Sequence, residues 1–417
     1  MRLLELVLPA RLGRPFRWLI ASSWISNLGD GIGLAAGPLL IASQTHDPLL
    51  VALAALLQRL PWLLFGLWAG VLADRLDRRL LVAAVDLGRA AILALLTITI
   101  LTGAVGVVVV LVAMLLIGVA EVFADTASQT LLPMVVAKED LQVGNARLMA
   151  GLLTGNQLAG PALGAALFAT AMATPFLTWA ACVGLGALLV TRVRVKPIER
   201  PADRSHVRRD IREGFTWTWG NSAVRTLTLT IVTFNVTWGA AWSVLVLYAK
   251  QRLGLGAVGF GLLNTILAVG GLAGVAAHDW LTRHASLGNI MRAVLLVETL
   301  THLGLALTTT AWVAAAIMFV FGAEAFIWGT TSQTVRMRAV PAALQGRVGS
   351  LYMIGVYGGL LVGQALGGVI ARLWGVTAPF WFAFGGSAVM LALIWQELRH
   401  VAHAEAPAVA GPAGTVA

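Results

Sequence analysis

Hydrophobic residues run through this chain in stretches of about twenty or more, broken by short clusters of charge, proline and glycine. A helix of about 20 apolar residues crosses the hydrocarbon core of a bilayer. Runs bounded in this way predict twelve spanning helices, at residues 16–41, 49–73, 79–101, 104–127, 145–170, 174–193, 223–249, 257–281, 286–308, 311–334, 346–371 and 376–396. The sharpest break is Gly70 to Arg79, GVLADRLDRR, with five charges in ten residues between two apolar runs. So much charge does not sit in lipid, and the segment marks a membrane face. The longest polar stretch, Arg194 to Asn221, lies near the middle of the chain. It divides the sequence into an N-terminal segment (1–15), a first bundle (16–193), a linker (194–222), a second bundle (223–396) and a tail (397–417). Within the linker, Arg208 to Trp219 (RRDIREGFTWTW) has two readings. It forms either an amphipathic helix on the membrane surface, with its arginines toward headgroups and Phe215 with Trp217 or Trp219 at the interface, or a solvated tether. The Ala-, Pro- and Gly-rich tail after Val401 has little to bury and reads as disordered.

Composition agrees. Of 417 residues, 59% are hydrophobic and 12% charged, against about 25% charged in a soluble domain, and the mean hydropathy is +0.85. The net charge of +10 does not imply a nucleic-acid partner, because the Lys and Arg residues fall in loops between apolar runs. Arg75, Arg78, Arg79, Arg192, Arg194 and the linker arginines lie on one face, whereas the other holds Lys250, Arg252 and Arg372. By the positive-inside rule both termini are expected in the cytoplasm, in a multi-pass protein of the cell membrane. Cys182 is the single cysteine and lies within an apolar run, so no intrachain disulfide forms. No nucleophile–base pair, phosphate loop or metal-ligating cluster is visible, and the seven histidines are scattered. An enzyme, a metal and a cofactor are not expected.

The two halves repeat. Ala120-Glu121-Val122-Phe123 is echoed by Ala323-Glu324-Ala325-Phe326, and Gly160-Pro161-Ala162-Leu163-Gly164 by Gly363-Gln364-Ala365-Leu366-Gly367, both at an offset of 203. Ser128-Gln129-Thr130 matches Ser332-Gln333-Thr334, and Gly70-Val71 matches Gly274-Val275, both at 204. The sequence therefore reads as an all-α membrane protein of twelve helices in two pseudo-symmetric six-helix bundles. Internal repeats of this kind belong to secondary transporters, with the substrate site between the halves.

At this point the residues resemble a family. GVLADRLDRR resembles the loop between helices 2 and 3 of the major facilitator superfamily, roughly G-x-L-a-D-r-x-G-R-[RK]; Gly70, Leu72, Asp74, Arg75, Arg78 and Arg79 match, and Asp77 replaces the usual glycine. Ile25 to Gly31, Leu60 to Arg79 and Leu247 to Leu263 are similar to the branch of macrolide and drug exporters and enterobactin-type siderophore exporters. The resemblance implies proton-driven antiport. Gly160, Pro161 and Gly164 match the antiporter signature of helix 5 that ends G-P-x-x-G-G, from which Ala165 departs. It also implies a cytoplasmic latch, with Asp74 facing the start of helix 11 near Gly346 to Val348 and Arg78 paired with Asp125. That latch would hold while the cavity faces outward and break as it opens inward.

Charges deep in the bilayer are costly and persist with a partner or a water-filled cavity. Asp30 and Arg59 lie at nearly equal depth, about 20 Å from the same face at 1.5 Å per residue, and are expected to pair, either structurally or so that Asp30 takes up a proton when Arg59 moves away. Glu298 and His302, spaced i, i+4 on helix 9, read as a proton relay or as a satisfied pair against helix 8 or 12. Glu121 is a further proton-coupling candidate, with Asp86 and Arg89 at comparable depth. The cavity candidates are Asn27, Asn156, Gln157, Asn235, Trp238, Trp242, Asn264, Glu324, Tyr357 and Gln364, a set that suits a large amphipathic ligand or serves as interhelical hydrogen-bond partners. The expected partners are a small-molecule substrate, protons and membrane lipid, with the protein acting as a monomer. A non-transporting receptor or assembly factor on the same scaffold, and a proton-coupled importer, are the competing functions.

Overall fold

The computed structural model describes residues 10–194, 207–341 and 344–398; the side chains of Ala10, Leu67, Asp74 and residues 207–211 lie outside the description. The expected tail disorder therefore falls outside the described residues, as does the start of the N-terminal segment. The long helices are α1 (Gly13–Gln44), α2 (Pro48–Arg75), α3 (Arg78–Leu101), α4 (Val107–Gln129), α5 (141–170), α6 (Thr174–Val190) and α7 (Ser222–Trp242, then Leu245–Gln251). They continue with α8 (Ala257–His284), α9 (Leu287–Leu307), α10 (Ala311–Ala339), α11 (Gln345–Trp374) and α12 (Ala378–Ile394). No strand occurs among the described residues. Among the described residues, eight helices are long and apolar enough to cross a membrane alone, and nine if the two parts of α7, bent by 41°, form one span. The three other expected spans are occupied differently. Helices α6 and α12 have 17 residues each, about 26 Å at 1.5 Å per residue, and α5 is built of Leu141–Gly151, a π-helical stretch Leu152–Ala159, and Gly160–Thr170.

One packing scheme is used twice. Helix α1 packs on α5 and α6, α2 on α4, and α3 on α4 and α6; in the second half α7 packs on α11 and α12, α8 on α10, and α9 on α10 and α12. The halves meet through α2 with α11 and α5 with α8, pairs that exchange under the same pseudo-two-fold. The repeated glycines enable the closest approaches. Gly160 and Gly164 lie against the α1 backbone at Gly31 and Ile32, and Gly363 and Gly367 lie against the α7 backbone at Val236 and Ala240. A Cβ at any of these positions would collide with main chain, so small residues set the helix spacing.

The charged turn between α2 and α3 is two residues long. Asp77 accepts hydrogen bonds from the backbone N–H groups of Arg79 (3.0 Å) and Leu80 (3.3 Å), capping the N-terminus of α3. This is the use of the residue that departs from the family pattern, since an N-cap aspartate satisfies donors that a glycine leaves free. Arg79 donates to the carbonyl of Val193 (3.2 Å), tying the turn to the end of the first bundle.

The linker contains a helix, Val207–Gly220. Glu213 pairs with Arg347 at 2.8 Å, Gly214 rests on the Arg347 backbone, and Trp217 packs with Val224, Ala339, Val340 and Val348. The helix is thus clamped to the start of α11, which sets aside the tether reading. Phe215 and Trp219 stack at 5.3 Å on its exposed side.

The bundles are closed against one another on the face where α1 turns into α2 and α11 into α12. There the position of a Cβ on Gly368 of α11 is 2.7 Å from Ala52 Cβ of α2, and Arg372 lies 3.7 Å from Asp47. On the opposite face, Gly70, Gly346 and Gly349 each have open space where a Cβ would stand, while Leu64, Trp68 and Met353 are exposed. Gly70 on one side of the expected latch and Gly346 and Gly349 on the other thus border open space on this face. Replacing Cys182 and introducing Ala52→Cys with Gly368→Cys should give a disulfide under mild oxidation in this conformation, because the 2.7 Å between the two Cβ positions has only to widen by about 1 Å to enter the range of about 3.5–4.5 Å that a disulfide requires. Failure to cross-link would contradict the closed face.

Candidate transport site

A cavity of about 520 Å³ lies between the bundles. It is lined from the first half by Gln58, Arg59, Asn156, Gln157 and Pro161, with aliphatic residues of α1, α2 and α4. From the second half come Trp238, Trp242, Ser243, Phe260, Asn264, Phe326 and Gln364. Its wall is thus largely apolar and aromatic, with a few amides and one guanidinium, which suits an amphipathic guest. The π-helical stretch of α5 presents Asn156 and Gln157 here. Within it the carbonyl of Leu158 accepts a hydrogen bond from Thr265 Oγ1 of α8 at 2.9 Å, so the altered ladder also joins the two halves. Such π segments leave carbonyls outside the ordinary helical pairing and concentrate at functional sites.

Beside the cavity, the first bundle holds a cluster of charges. Arg89 of α3 is 1% exposed and donates to Asp30 of α1 and, at 3.0 Å, to Asp86 one turn earlier on its own helix. Trp179 of α6 donates its indole N–H to Asp30 at 2.9 Å. Positions 29 and 33 of α1 make this possible: a Cβ on Gly33 would stand 2.6 Å from the Trp179 ring, and one on Gly29 would stand 3.0 Å from it. On α4, Glu121 lies beside Gln58 in the fields of Arg59 and Arg89, and Asp125 lies in the field of Arg89. Four carboxyl groups thus face two guanidinium groups.

The expected Asp30–Arg59 pair is replaced by Asp30–Arg89. Equal depth does not make two residues neighbours; α1 and α3 both pack on α6, which brings Asp30, Arg89 and Trp179 together, and α2 packs on α4, which brings Arg59 to Glu121. Arg78 does not sit on Asp125 in this open state. Its guanidinium donates to the Ala73 carbonyl at 3.1 Å and the Thr130 carbonyl at 3.5 Å, and lies 3.7 Å from Met134 Sδ. Asp74's side chain lies outside the described residues, and Arg75 is exposed.

Of the cavity candidates, Asn156, Gln157, Trp238, Trp242, Asn264 and Gln364 line it. Asn27 instead donates to the Ser23 carbonyl at 2.8 Å, and Asn235 to the Ile231 carbonyl at 2.8 Å, both within their own helices. Tyr357 of α11 stacks on Trp62 of α2 at 5.5 Å, bridging the halves. Glu324 is buried away from the lining. The Glu298–His302 pair, 3.3 Å apart, is buried against α12, where Ser387 donates to Glu298 at 2.9 Å. Gln58, Ser243, Phe260 and Phe326 line the cavity without having been singled out in the sequence, as Trp179 holds Asp30. Glycines four apart at 29 and 33 are the one signal that a large ring docks on that face of α1.

Two helical bundles related by a pseudo-two-fold, open on one face and closed on the other around a shared cavity, define a major facilitator transporter. The chain belongs to the family described as transmembrane secretion effector, which it matches over residues 9–411. It is 27% identical over 389 residues to the multidrug efflux pump Tap of Mycolicibacterium fortuitum, covering 88% of this chain and 91% of that protein. Its fold is similar to that of a variant of the nucleoside transporter NupG (TM-score 0.75, 12% identity, covering 92% of this chain and 100% of the other). It is likewise similar to a bacterial homologue of the iron transporter ferroportin in an inward-facing state (0.73, 16%, 94% and 99%). A bacterial homologue of the lysosomal transporter Spinster gives 0.72 at 12% identity, covering 96% and 99%. The protein is a multi-pass membrane transporter of an efflux family, and these relatives are transporters, not enzymes.

Removing one member of a buried ion cluster leaves the others uncompensated, at a cost of about 3–5 kcal/mol. Arg89→Met should therefore lower the thermal midpoint of the purified protein sharply, and adding Asp30→Asn and Asp86→Asn should recover much of the loss. An Arg89→Met protein as stable as the parent would contradict the cluster.

Proposed function

We propose that the protein is a proton-coupled antiporter that exports hydrophobic or amphipathic small molecules, such as drug-like compounds, macrolides or siderophore-like metabolites, by alternating access in the cell membrane. The observation that carries this reading is the imbalance beside the cavity, where four carboxyl groups face two guanidinium groups in the apolar first bundle. Excess carboxylates are costly there unless they are neutralised, and exchangeable protons are the means available.

In this mechanism the arginine-rich face is cytoplasmic, with both chain ends, and the open state receives substrate from the cytoplasm or inner leaflet. The aromatic wall of Trp238, Trp242, Phe260 and Phe326 contributes apolar contact, and Arg59, Gln58, Asn156, Gln157 and Gln364 orient polar groups. Protonation of Asp30 removes one of the two anions that hold Arg89 and frees the guanidinium to turn toward Glu121 and Asp125 on α4. The same shift of α4 against α2 alters the seat of Arg59 on the cavity wall. As the bundles rock, the Asp74 and Arg78 latch engages the start of α11 and Asp125, sealing the cytoplasmic side while the Ala52–Gly368 face opens. The resemblance of the chain to an efflux pump supports the direction of transport, and the protein acts as a monomer in lipid.

Reconstitution into liposomes with an imposed pH gradient tests this reading, using a panel of lipophilic cations, macrolides and siderophores. At least one compound should accumulate against its gradient and stop doing so when a protonophore is added. Asp30→Asn should still bind that compound yet lose concentrative uptake by roughly tenfold or more, the effect of about 1.4 kcal/mol. Proton flux that no compound alters would overturn antiport, and concentrative transport by Asp30→Asn would remove Asp30 from coupling.

A further inference from the structure

The second bundle contains its own buried titratable cluster, which shares one repeat position with the first and differs in the partners around it. Glu324 of α10 is 4% exposed, and both of its carboxyl oxygens lack a hydrogen-bond partner among the described residues. It is the repeat equivalent of Glu121, but Glu121 has Arg59 and Arg89 beside it, whereas the charged group whose field reaches Glu324 is another acid, Glu298 of α9. Glu298 is 2% exposed and accepts a hydrogen bond from Ser387 of α12, and Ser387 lies 3.3 Å from Thr237 of α7. His302, fully buried one turn further along α9, stands 3.3 Å from Glu298. The ring stands edge-on to Trp242 at 6.3 Å, and Phe321, one turn before Glu324, is 6.2 Å away.

Helix α9 contributes Glu298 and His302, α7 and α12 contribute neutral polar groups, and the titratable groups of α8 (His278, Asp279, Arg283 and His284) all lie in its last two turns, where the first of them, His278, contacts Thr331 two turns beyond Glu324 on α10. While His302 is neutral, an ionised carboxylate in such surroundings has neither a cation nor a donor among the described residues, and in a bilayer-embedded bundle that form is disfavoured by several kcal/mol. The neutral form requires no counter-ion.

We infer that Glu324 is a second proton-binding carboxyl, located in the C-terminal bundle and exchanging its proton with the Glu298–His302 pair, separate from the Asp30–Arg89 cluster. The exchange moves one proton: the hydroxyl of Glu324 gives it up through a bridging water to the neutral His302 ring beside the Glu298 carboxylate, and the imidazolium formed balances the negative charge left on Glu324. Trp242 connects the site to transport, because its ring lines the cavity and also faces His302. A substrate against Trp242 is one ring away from the pair, and a protonated His302 would gain cation–π attraction to that ring that a neutral one lacks. The coupling of this site to transport rests on the antiport reading, whereas its protonation does not.

Infrared spectroscopy of the purified protein in heavy water at neutral pH reads the protonation directly, through the carbonyl stretch of neutral carboxyl groups. Glu324→Gln should remove one component of that band, Glu324→Asp should shift the component without removing it, and Asp30→Asn should leave it in place. A band unchanged by Glu324→Gln, in protein whose circular dichroism matches the parent, would overturn the assignment. In liposomes, Glu324→Gln should lower the number of protons exchanged per substrate by one; an unchanged stoichiometry would overturn the site's part in coupling. If no compound is transported and the infrared component is nonetheless lost in Glu324→Gln, the antiport reading fails and the proton site stands.

Discussion

An arginine buried among apolar helices must be held by anions, and the N-terminal bundle is arranged around meeting that demand. Arg89 is almost fully enclosed and bridges Asp30 on α1 to Asp86 on its own helix. Helices α1, α3 and α6 converge there because positions 29 and 33 lack side chains, so that Trp179 lies flat on α1 with its indole N–H on Asp30. The same helix α1 is fitted to α5 through Gly31, Gly160 and Gly164. Charge, ring and glycines are therefore one construction: the ions are tolerable in lipid because the helices are close, and the helices are close because glycine lies where they cross.

The internal repeat shows how one scaffold came to hold two unlike polar centres. The packing scheme is common to both halves, and so are the glycines that set it. The charges are not. Glu121 has arginine neighbours on α2 and α3, while its counterpart Glu324 faces an acid–histidine pair on α9. Between them lies a cavity whose amides and cation come mainly from the first half and whose large rings come from the second. A guest bridging the halves would touch both kinds of wall, which is the condition for its binding to bias their relative position.

Much of this fold was legible in the sequence, because span length and the offset of 203 to 204 residues between repeats are properties of the chain alone. The charged turn after α2 and the small residues of α5 were legible for the same reason. The partner of Asp30 was not. Depth along a helix can be counted from the sequence, but which helices are neighbours depends on packing, and the convergence of α1 and α3 on α6 made Arg89 the partner instead of Arg59. The π-helical stretch that carries Asn156 and Gln157 has no periodic signature, and Asn27 and Asn235 donate to carbonyls one turn back on their own helices. The linker left two readings open, which its clamp on α11 through Glu213 and Arg347 resolves in favour of a helix.

The central claim is that the two bundles rock about the cavity under control of the Asp30–Arg89 cluster. Paired spin labels report this most directly, with one pair across the open face at positions 70 and 349 and another across the closed face at positions 46 and 373, followed by distance measurements in lipid as pH is varied. The account predicts that the two distances change in opposite senses with pH, and that Asp30→Asn removes the dependence at both faces. Distances that ignore pH in the parent protein, or that change at one face alone, would contradict it.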